Sequence, residues 1–151
     1  MTELVLPSHT NALGTIFGGQ LMAWIDIAAA TAAMRHARMT AVTASIDALA
    51  FVAPVKLGEV VNILASVNFT GRTSMEIGVR LESENPYTAT RTHVATSYLT
   101  FVALDKSGKP QPVPQVVPVT DVEKRRWEHA QLRRQSRLTL KAELQKKRKG
   151  S

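Results

Sequence analysis

The stretch from Asn11 to Asp26, NALGTIFGGQLMAWID, carries the side chains best suited to chemistry. It joins a loop amide, Asn11, to the paired glycines Gly18 and Gly19 and then to one carboxylate, Asp26. That carboxylate lies in a helix-forming run that is apolar on nearly every side, where an ionised group is costly unless it is paired or used. No Lys or Arg lies three or four residues away to pair with it. Asp26 is therefore either catalytic or bound by backbone amides or hydroxyl groups of another segment.

The other residues of this stretch have simpler explanations when each is taken alone. Asn11 is a common turn residue, and two glycines let a chain enter a helix. Other chemistries have weaker support. There is no cysteine, no GxSxG and no HExxH, and the histidines are dispersed, so the sequence predicts no thiolate or metal site and no serine nucleophile.

A long helix is predicted to position these groups, followed by strands. Residues 20–38 contain good helix formers and no helix breaker before position 38. Apolar residues then recur with period two, which is typical of half-buried antiparallel strands. We predict an α+β fold in which an antiparallel sheet wraps around the helix. Its strands are a short edge strand in residues 1–7 and four longer ones in 42–52, 59–70, 74–83 and 92–104.

The alternation also predicts which strand residues share a face and whether the chain has a partner. In the second long strand we expect Val61, Ile63, Ala65, Val67 and Phe69 to lie on one face. One sheet cannot easily cover both an apolar helix and its own edges. Dimerisation by edge pairing is therefore expected.

The basic charge of the chain is confined to its C-terminal part. Residues 1–120 balance eight Lys and Arg against eight Asp and Glu, whereas residues 121–151 carry eleven basic and four acidic residues, the whole net charge of +7. Residues 107–118 contain four prolines and predict an extended linker, after which Asp121 caps a helix to about Lys147. The division is thus a domain at 1–118 and a basic helical extension at 119–151. We expect the extension to pack on a neighbouring subunit; the alternative is binding of a polyanion such as nucleic acid or an anionic membrane surface.

Targeting signals are not apparent in the sequence. Residues 1–8 lack a basic start followed by a long apolar run, and the apolar stretch 21–34 is too short to cross a bilayer. With no cysteines, the expectation is a soluble cytoplasmic protein without membrane insertion.

The run PSHTNALGTIFGGQLMAWIDIAA resembles the signature of the hotdog-fold acyl-CoA thioesterases, in the cytoplasmic acyl-CoA hydrolase branch. The resemblance continues through IDALAFVAPVKLGEVV (46–61), GRTSMEIGV (71–79) and TFVALDKSGKPQPVP (100–114). It implies a long helix gripped by an antiparallel sheet, and dimers with a continuous sheet that assemble further into hexamers, as trimers of dimers. The substrate would be an acyl-CoA, with coenzyme A part of both substrate and product and no cofactor required.

The resemblance also implies site residues. The family's catalytic pair falls on Asn11 and Asp26, contributed by opposite protomers. Amides at Gly18 and Gly19 would then hold the developing oxyanion, while Asp26 acts as a general base on water or attacks to give a mixed anhydride. Coenzyme contacts would come from the hairpin Gly71, Arg72, Thr73 and Ser74, with Arg91 as a phosphate partner.

These assignments have alternatives. The hairpin and Arg91 are equally explained as a plain turn and a solvated strand end. A non-hydrolytic acyl-CoA-binding or hydratase-like protein with the same fold is the competing function. The residues do not discriminate between acyl chain lengths, between the two chemical routes, or between a hexamer and a tetramer.

Overall fold

A five-stranded antiparallel sheet lies between two helices in the computed structural model, which describes residues 1–150. The strand order is β1-β3-β4-β5-β2, so the N-terminal strand forms one edge, as predicted. The predicted α+β fold, a curled sheet around a long helix with a C-terminal helix, is confirmed. The elements are β1 (Thr2–Leu4), a short 3-10 turn (Pro7–His9), α1 (Gly18–Ala37), β2 (Thr40–Ile46), β3 (Val60–Thr70), β4 (Ser74–Glu84), β5 (Arg91–Leu104) and α2 (Asp121–Lys149).

The core fills the space between α1 and the inner face of the sheet. Small residues of α1 face the strands, namely Ala28, Ala29, Ala33 and Ala37, and they let the helix approach closely. Alternate residues of β4 and β5 point towards them and are fully buried, which confirms the period-two prediction for these strands: Met75, Ile77, Val79, Leu81, Leu99, Phe101 and Ala103.

The sheet covers only one side of α1 within the chain. On the opposite side, Met22 is 43% exposed, Ile27 54% and Met34 43%. The sequence predicts that this apolar helix is covered on most sides, whereas the single chain covers only the side that faces the sheet. Beside this face runs β2, an edge strand that is exposed along most of its length. An apolar helix face next to an unpaired strand edge fits the predicted pairing of two chains.

Two strand predictions are wrong in detail. The first long strand ends at Ile46 rather than at Val52. Residues 47–52, DALAFV, lack alternation, and this segment instead passes over the start of α1, where the Phe51 ring lies beside Gly18. In β3, the register shifts between Val67 and Phe69. This bulge turns Phe69 to the outer face of the sheet, away from the other four predicted core residues.

The C-terminal part also differs from the prediction. The predicted linker is bound to the sheet, since the Val113 N–H donates to the Arg72 carbonyl at 2.9 Å and the Val113 side chain is buried. The cap of α2 is Thr120 rather than Asp121, because the Thr120 hydroxyl accepts the Glu123 N–H at 3.1 Å and the Glu123 carboxylate bonds back. This reciprocal capping box satisfies the N–H groups of Thr120 and Glu123.

Helix α2 packs on the outer face of the sheet. Arg133 binds Glu76 of β4 at 2.7 Å, and that carboxylate is only 3% exposed. Arg137 binds Asp47 at 2.9 Å, and Trp127 packs against Phe69 with ring centroids 5.6 Å apart. Neither α2 nor any other helix in the described part of the chain is long and apolar enough to cross a membrane.

Candidate active site

The start of α1 offers unpaired backbone donors. Phe17 is the N-cap and provides no side-chain cap. Within residues 1–150, no hydrogen bond is made by the N–H of Gly18 or Gly19. A Cβ atom at Gly19 would meet nothing within 4 Å, so the space on the Cβ side of this residue is open. Free N–H groups at the positive end of a helix dipole are suited to bind an anionic or polarised oxygen.

The two glycines are not equivalent. A Cβ atom at Gly18 would lie 3.3 Å from the ring of Phe51. A side chain there would push the ring away, whereas the same change at Gly19 would close the open space. Phe51 therefore forms a wall beside the helix start, and the glycines leave room for this wall and for a ligand.

Asn11 organises the loop that leads to this helix start. Its Oδ1 atom accepts the N–H of Leu13 at 2.9 Å and of Thr15 at 3.3 Å, and its amide nitrogen donates to the Thr15 hydroxyl at 3.1 Å. The turn also needs Gly14, whose φ of 76° is the left-handed conformation that glycine adopts easily. These hydrogen bonds are those of a turn residue.

Asp26 lies on α1 beside the edge strand and is partly exposed. The Thr43 hydroxyl of β2 donates to its Oδ1 atom at 2.7 Å. This is the short distance typical of a hydroxyl bound to a carboxylate. Binding by a hydroxyl of another segment is one of the two explanations that the sequence offers for Asp26, and Thr43 provides that hydroxyl. The second carboxylate oxygen, Oδ2, makes no hydrogen bond within residues 1–150.

Thr43 is not identifiable as a partner of Asp26 from the sequence. A Thr inside a β-rich run is typical of any strand, and its partner is 17 residues away on another element. The only available signal was the alternation of β2, which places Thr43 on the same face as Ala41. The packing of that face against α1 makes Thr43 a neighbour of Asp26.

The start of α1 and Asp26 do not meet within one chain. Gly18 and Asp26 are eight residues apart, about 12 Å along the helix axis. The side-chain hydrogen bonds of Asn11 stay inside its own loop, and that of Asp26 goes to β2. Within residues 1–150, no hydrogen bond therefore joins Asn11 to Asp26.

The predicted coenzyme-binding residues are also separated. The hairpin 71–74 ends at Ser74, the first residue of β4, whereas Arg91 pairs with Glu84, the last residue of β4, ten residues or roughly 33 Å along the strand. Arg91 binds Glu84 at 3.2 Å and lies 3.7 Å from Glu82. A hydrogen bond from Arg80 keeps the pKa of Glu82 below its ordinary value, so this carboxylate stays charged. Arg91 is thus already engaged by acidic neighbours.

The hairpin lies at the same end of the sheet as the Asp26–Thr43 pair. Thr43 is in register with Phe101, which is in register with Met75, the residue after Ser74. Arg91 lies at the opposite end of the sheet from that pair. No group of three or more metal-ligating side chains occurs in residues 1–150.

Comparison with known proteins finds similar thioesterases by both sequence and structure. The sequence model of the thioesterase superfamily matches residues 13–90, about half of the chain. An uncharacterised acyl-CoA thioester hydrolase of Bacillus subtilis, YkhA, is 46% identical over 122 residues, covering 81% of this chain and 71% of its own length.

Two solved structures share the fold over nearly the whole chain. A hexameric acyl-CoA thioesterase, solved without ligand, superposes with a TM-score of 0.91 at 50% identity, covering 94% of this chain and 91% of that one. An acyl-CoA hydrolase from Staphylococcus aureus, solved with butyryl coenzyme A and coenzyme A, superposes with a TM-score of 0.89 at 41% identity, covering 97% and 89%.

The S. aureus protein has also been solved as three single alanine variants. They replace an Asn, an Asp and a Thr, in that order along its chain, at positions 15 and 17 residues apart. Asn11, Asp26 and Thr43 have the same order and the same two spacings in this chain.

Proposed function

Because the chain belongs to the thioesterase superfamily, we propose that it hydrolyses acyl-CoA to a free acid and coenzyme A at a site built around Asp26. The chain is an enzyme of the acyl-CoA thioester hydrolase class. The observation that carries the site assignment is the 2.7 Å hydrogen bond from Thr43 to Asp26, at an exposed place beside an uncovered helix face. The matching Asn, Asp and Thr spacing in the S. aureus hydrolase supports it.

Each group has a distinct role in the proposed reaction. The free N–H groups at Gly18 and Gly19 polarise the thioester carbonyl and stabilise the charge that develops on its oxygen. Asp26 takes a proton from water as the water oxygen attacks the carbonyl carbon. The carbon–sulfur bond then breaks, and the departing coenzyme A sulfur takes up a proton.

Thr43 is a positioning residue in this scheme. Its hydroxyl holds one carboxylate oxygen of Asp26 and leaves the other for the attacking water or for direct attack on the carbonyl. Direct attack would form a mixed anhydride instead. A single turnover in ¹⁸O-labelled water tests for the anhydride: label found on Asp26 establishes that route, because general-base catalysis puts the label only in the acid product.

We propose that two chains form the catalytic unit, with Asn11 and the α1 start (Gly18 and Gly19) of one protomer completing the site around Asp26 of the other. The distance of about 12 Å between the start of α1 and Asp26 within one chain supports this arrangement, as do the uncovered face of α1 and the free edge of β2. Assembly of three such dimers is proposed from the hexameric relative of 50% identity.

The proposed substrate contacts follow from the position of the hairpin 71–74. It lies at the Asp26 end of the sheet, so we propose that it contacts the coenzyme, whereas Arg91 would reach the same coenzyme only from another subunit. No cofactor is required in this scheme. Butyryl coenzyme A is a suitable first substrate, because the S. aureus hydrolase was solved with it.

A thiol-release assay with butyryl coenzyme A tests the reaction. We expect the wild-type protein to release thiol, Asp26→Asn to lose at least about a hundredfold in kcat, and the matched control Asp121→Asn to stay at the wild-type rate. Coenzyme binding without thiol release by the wild type would instead support the non-hydrolytic alternative. Wild-type turnover by Asp26→Asn would refute the site.

Subunit complementation tests the composite site. Asn11→Ala and Asp26→Ala proteins are each unfolded and then refolded together in equal amounts. If the two groups come from opposite protomers, half the dimers are mixed and each has one complete site, so about a quarter of the wild-type activity returns. If both groups act from the same chain, every site is defective and the mixture stays inactive.

A further inference from the structure

The four carbonyl groups of the hairpin 71–74 all accept hydrogen bonds from the chain itself. Three of the donors are backbone N–H groups, and the fourth is a side chain. In order from residue 71 to residue 74, the donors are the side-chain amide of Gln115 at 3.0 Å and the N–H groups of Val113 at 2.9 Å, Ala103 at 3.1 Å and Gly71 at 2.8 Å. Each backbone acceptor of the hairpin is thus engaged within the chain.

The donor groups at the tip of the hairpin are unpaired by contrast. Within residues 1–150, the N–H groups of Arg72 and Thr73 make no hydrogen bond, and the side chains of these two residues make none either. A tip that offers N–H, hydroxyl and guanidinium groups, with its carbonyls already engaged, suits an anion such as a phosphate group of coenzyme A. This pattern agrees with the coenzyme contact proposed above for the hairpin.

Gln115 controls the direction of one of these donors through the peptide group that joins Gly71 to Arg72. The carbonyl of this peptide group belongs to Gly71, and its N–H belongs to Arg72. No cis peptide bond occurs in the part of the chain that the structure describes. In a trans peptide the C=O and N–H bonds point in opposite directions. The hydrogen bond from Gln115 to the Gly71 carbonyl therefore directs the Arg72 N–H away from Gln115.

Hydrogen bonds rather than burial hold the Gln115 side chain in place, because this residue is exposed. Its Oε1 atom accepts the Thr70 hydroxyl at 3.1 Å, and its Nε2 atom also donates to the Val113 carbonyl at 3.3 Å. Thr70 is only 5% exposed, and its hydroxyl accepts the Val116 N–H at 3.1 Å. Among the four donors to the hairpin carbonyls, Gln115 is the one that a side-chain substitution removes.

We propose that Gln115 is a positioning residue for the substrate, which fixes the Gly71–Arg72 peptide group so that the Arg72 N–H donates to a phosphate group of the coenzyme. The inference rests on the proposed function, since it takes the acyl-CoA substrate as the ligand of the hairpin. Without the Gln115 amide, this peptide group is free to rotate. The Gly71 carbonyl oxygen then faces the phosphate and repels it, and one hydrogen bond to the substrate is lost.

The test compares two Gln→Met variants, which lose the amide and keep an unbranched side chain. Gln115→Met removes the donor to Gly71, whereas Gln111→Met is the matched control, because Gln111 lies in the same segment and donates to Asp105 at 3.2 Å. Thiol release is measured with butyryl coenzyme A and with butyryl pantetheine, a thioester without phosphate groups. For Gln115→Met we expect about a tenfold higher KM for butyryl coenzyme A, since one hydrogen bond to a charged group is lost. Its kcat should stay within about twofold, its KM for butyryl pantetheine should be unchanged, and Gln111→Met should match the wild type.

The proposal is overturned if Gln115→Met has the wild-type KM for butyryl coenzyme A, or if its KM rises equally for both thioesters, which a general disturbance of the fold would cause. Failure of the proposed function is a separate result, in which the wild-type protein releases thiol from neither substrate. Equilibrium dialysis with coenzyme A tests Gln115 in that case, because it needs no turnover. About tenfold weaker retention by Gln115→Met would support the proposal, and equal retention, or none by the wild type, would overturn it.

Discussion

The Thr43 hydroxyl is expected to contribute to turnover by positioning Asp26. Thr43→Val is the appropriate perturbation, because Val has nearly the same shape and the same β-branched preference for a strand. The substitution removes the O–H donor that lies 2.7 Å from the Asp26 carboxylate and disturbs little else. The carboxylate then loses its described side-chain partner and can rotate.

The magnitude follows from the type of hydrogen bond. A hydrogen bond to a charged group contributes about 1.5–3 kcal/mol. Asp26 is partly exposed in the single chain, so water replaces some of this bond, and the lower end of the range applies. About 1.5 kcal/mol corresponds to roughly a tenfold lower kcat. We expect KM to change less than twofold, since the hairpin proposed to contact the coenzyme lies two strands away from Thr43.

Steady-state thiol release with butyryl coenzyme A measures both constants. Thr43→Ser restores a hydroxyl at the same register and should recover most of kcat, while Thr40→Val on the same edge strand serves as the control for a lost Thr hydroxyl elsewhere. Two results would refute the reasoning: a wild-type kcat in Thr43→Val, or Thr43→Ser as slow as Thr43→Val. A rise in KM alone would instead assign Thr43 to substrate binding.

Two further predictions concern stability. Arg133→Ala leaves the buried Glu76 carboxylate without its bidentate partner, which should cost about 3 kcal/mol in urea unfolding, and adding Glu76→Gln should recover part of it; no recovery would contradict the pairing. The Lys109 N–H and the Ser107 hydroxyl lower the pKa of Asp105, so its stabilisation is present above the ordinary Asp pKa of about 3.9 and is lost as the pH falls through the lowered value. Asp105→Asn should therefore have a lower Tm than the wild type at pH 7, and the difference should close below about pH 4; a constant difference across this range would count against this explanation.

Much of the fold could be predicted because its signals are local. The apolar alternation of β4 and β5 required no knowledge of neighbours, and neither did the helix-forming run of α1. The misplaced residues depend on non-local geometry. Phe69 follows a bulge that reverses the faces of β3, and residues 47–52 cover the start of α1 instead of extending β2.

In the candidate site, too, some residues could be predicted from the sequence and one could not. Asn11, Gly18, Gly19 and Asp26 lie close together in sequence, and an acid in an apolar helix is conspicuous without coordinates. Thr43 is not, because a hydroxyl in a strand acquires a role only when that strand packs beside the acid.

The amino-acid sequence by itself determined the kinds of elements and the order of the reactive groups, since helix propensity, strand alternation and motif spacing act over a few residues. The tertiary structure alone decided which groups meet: Thr43 with Asp26, and Arg133 with Glu76. It also separated the hairpin from Arg91 and left one face of α1 uncovered. These outcomes depend on strand register and helix packing, which join residues far apart in the chain, and no local pattern specifies them.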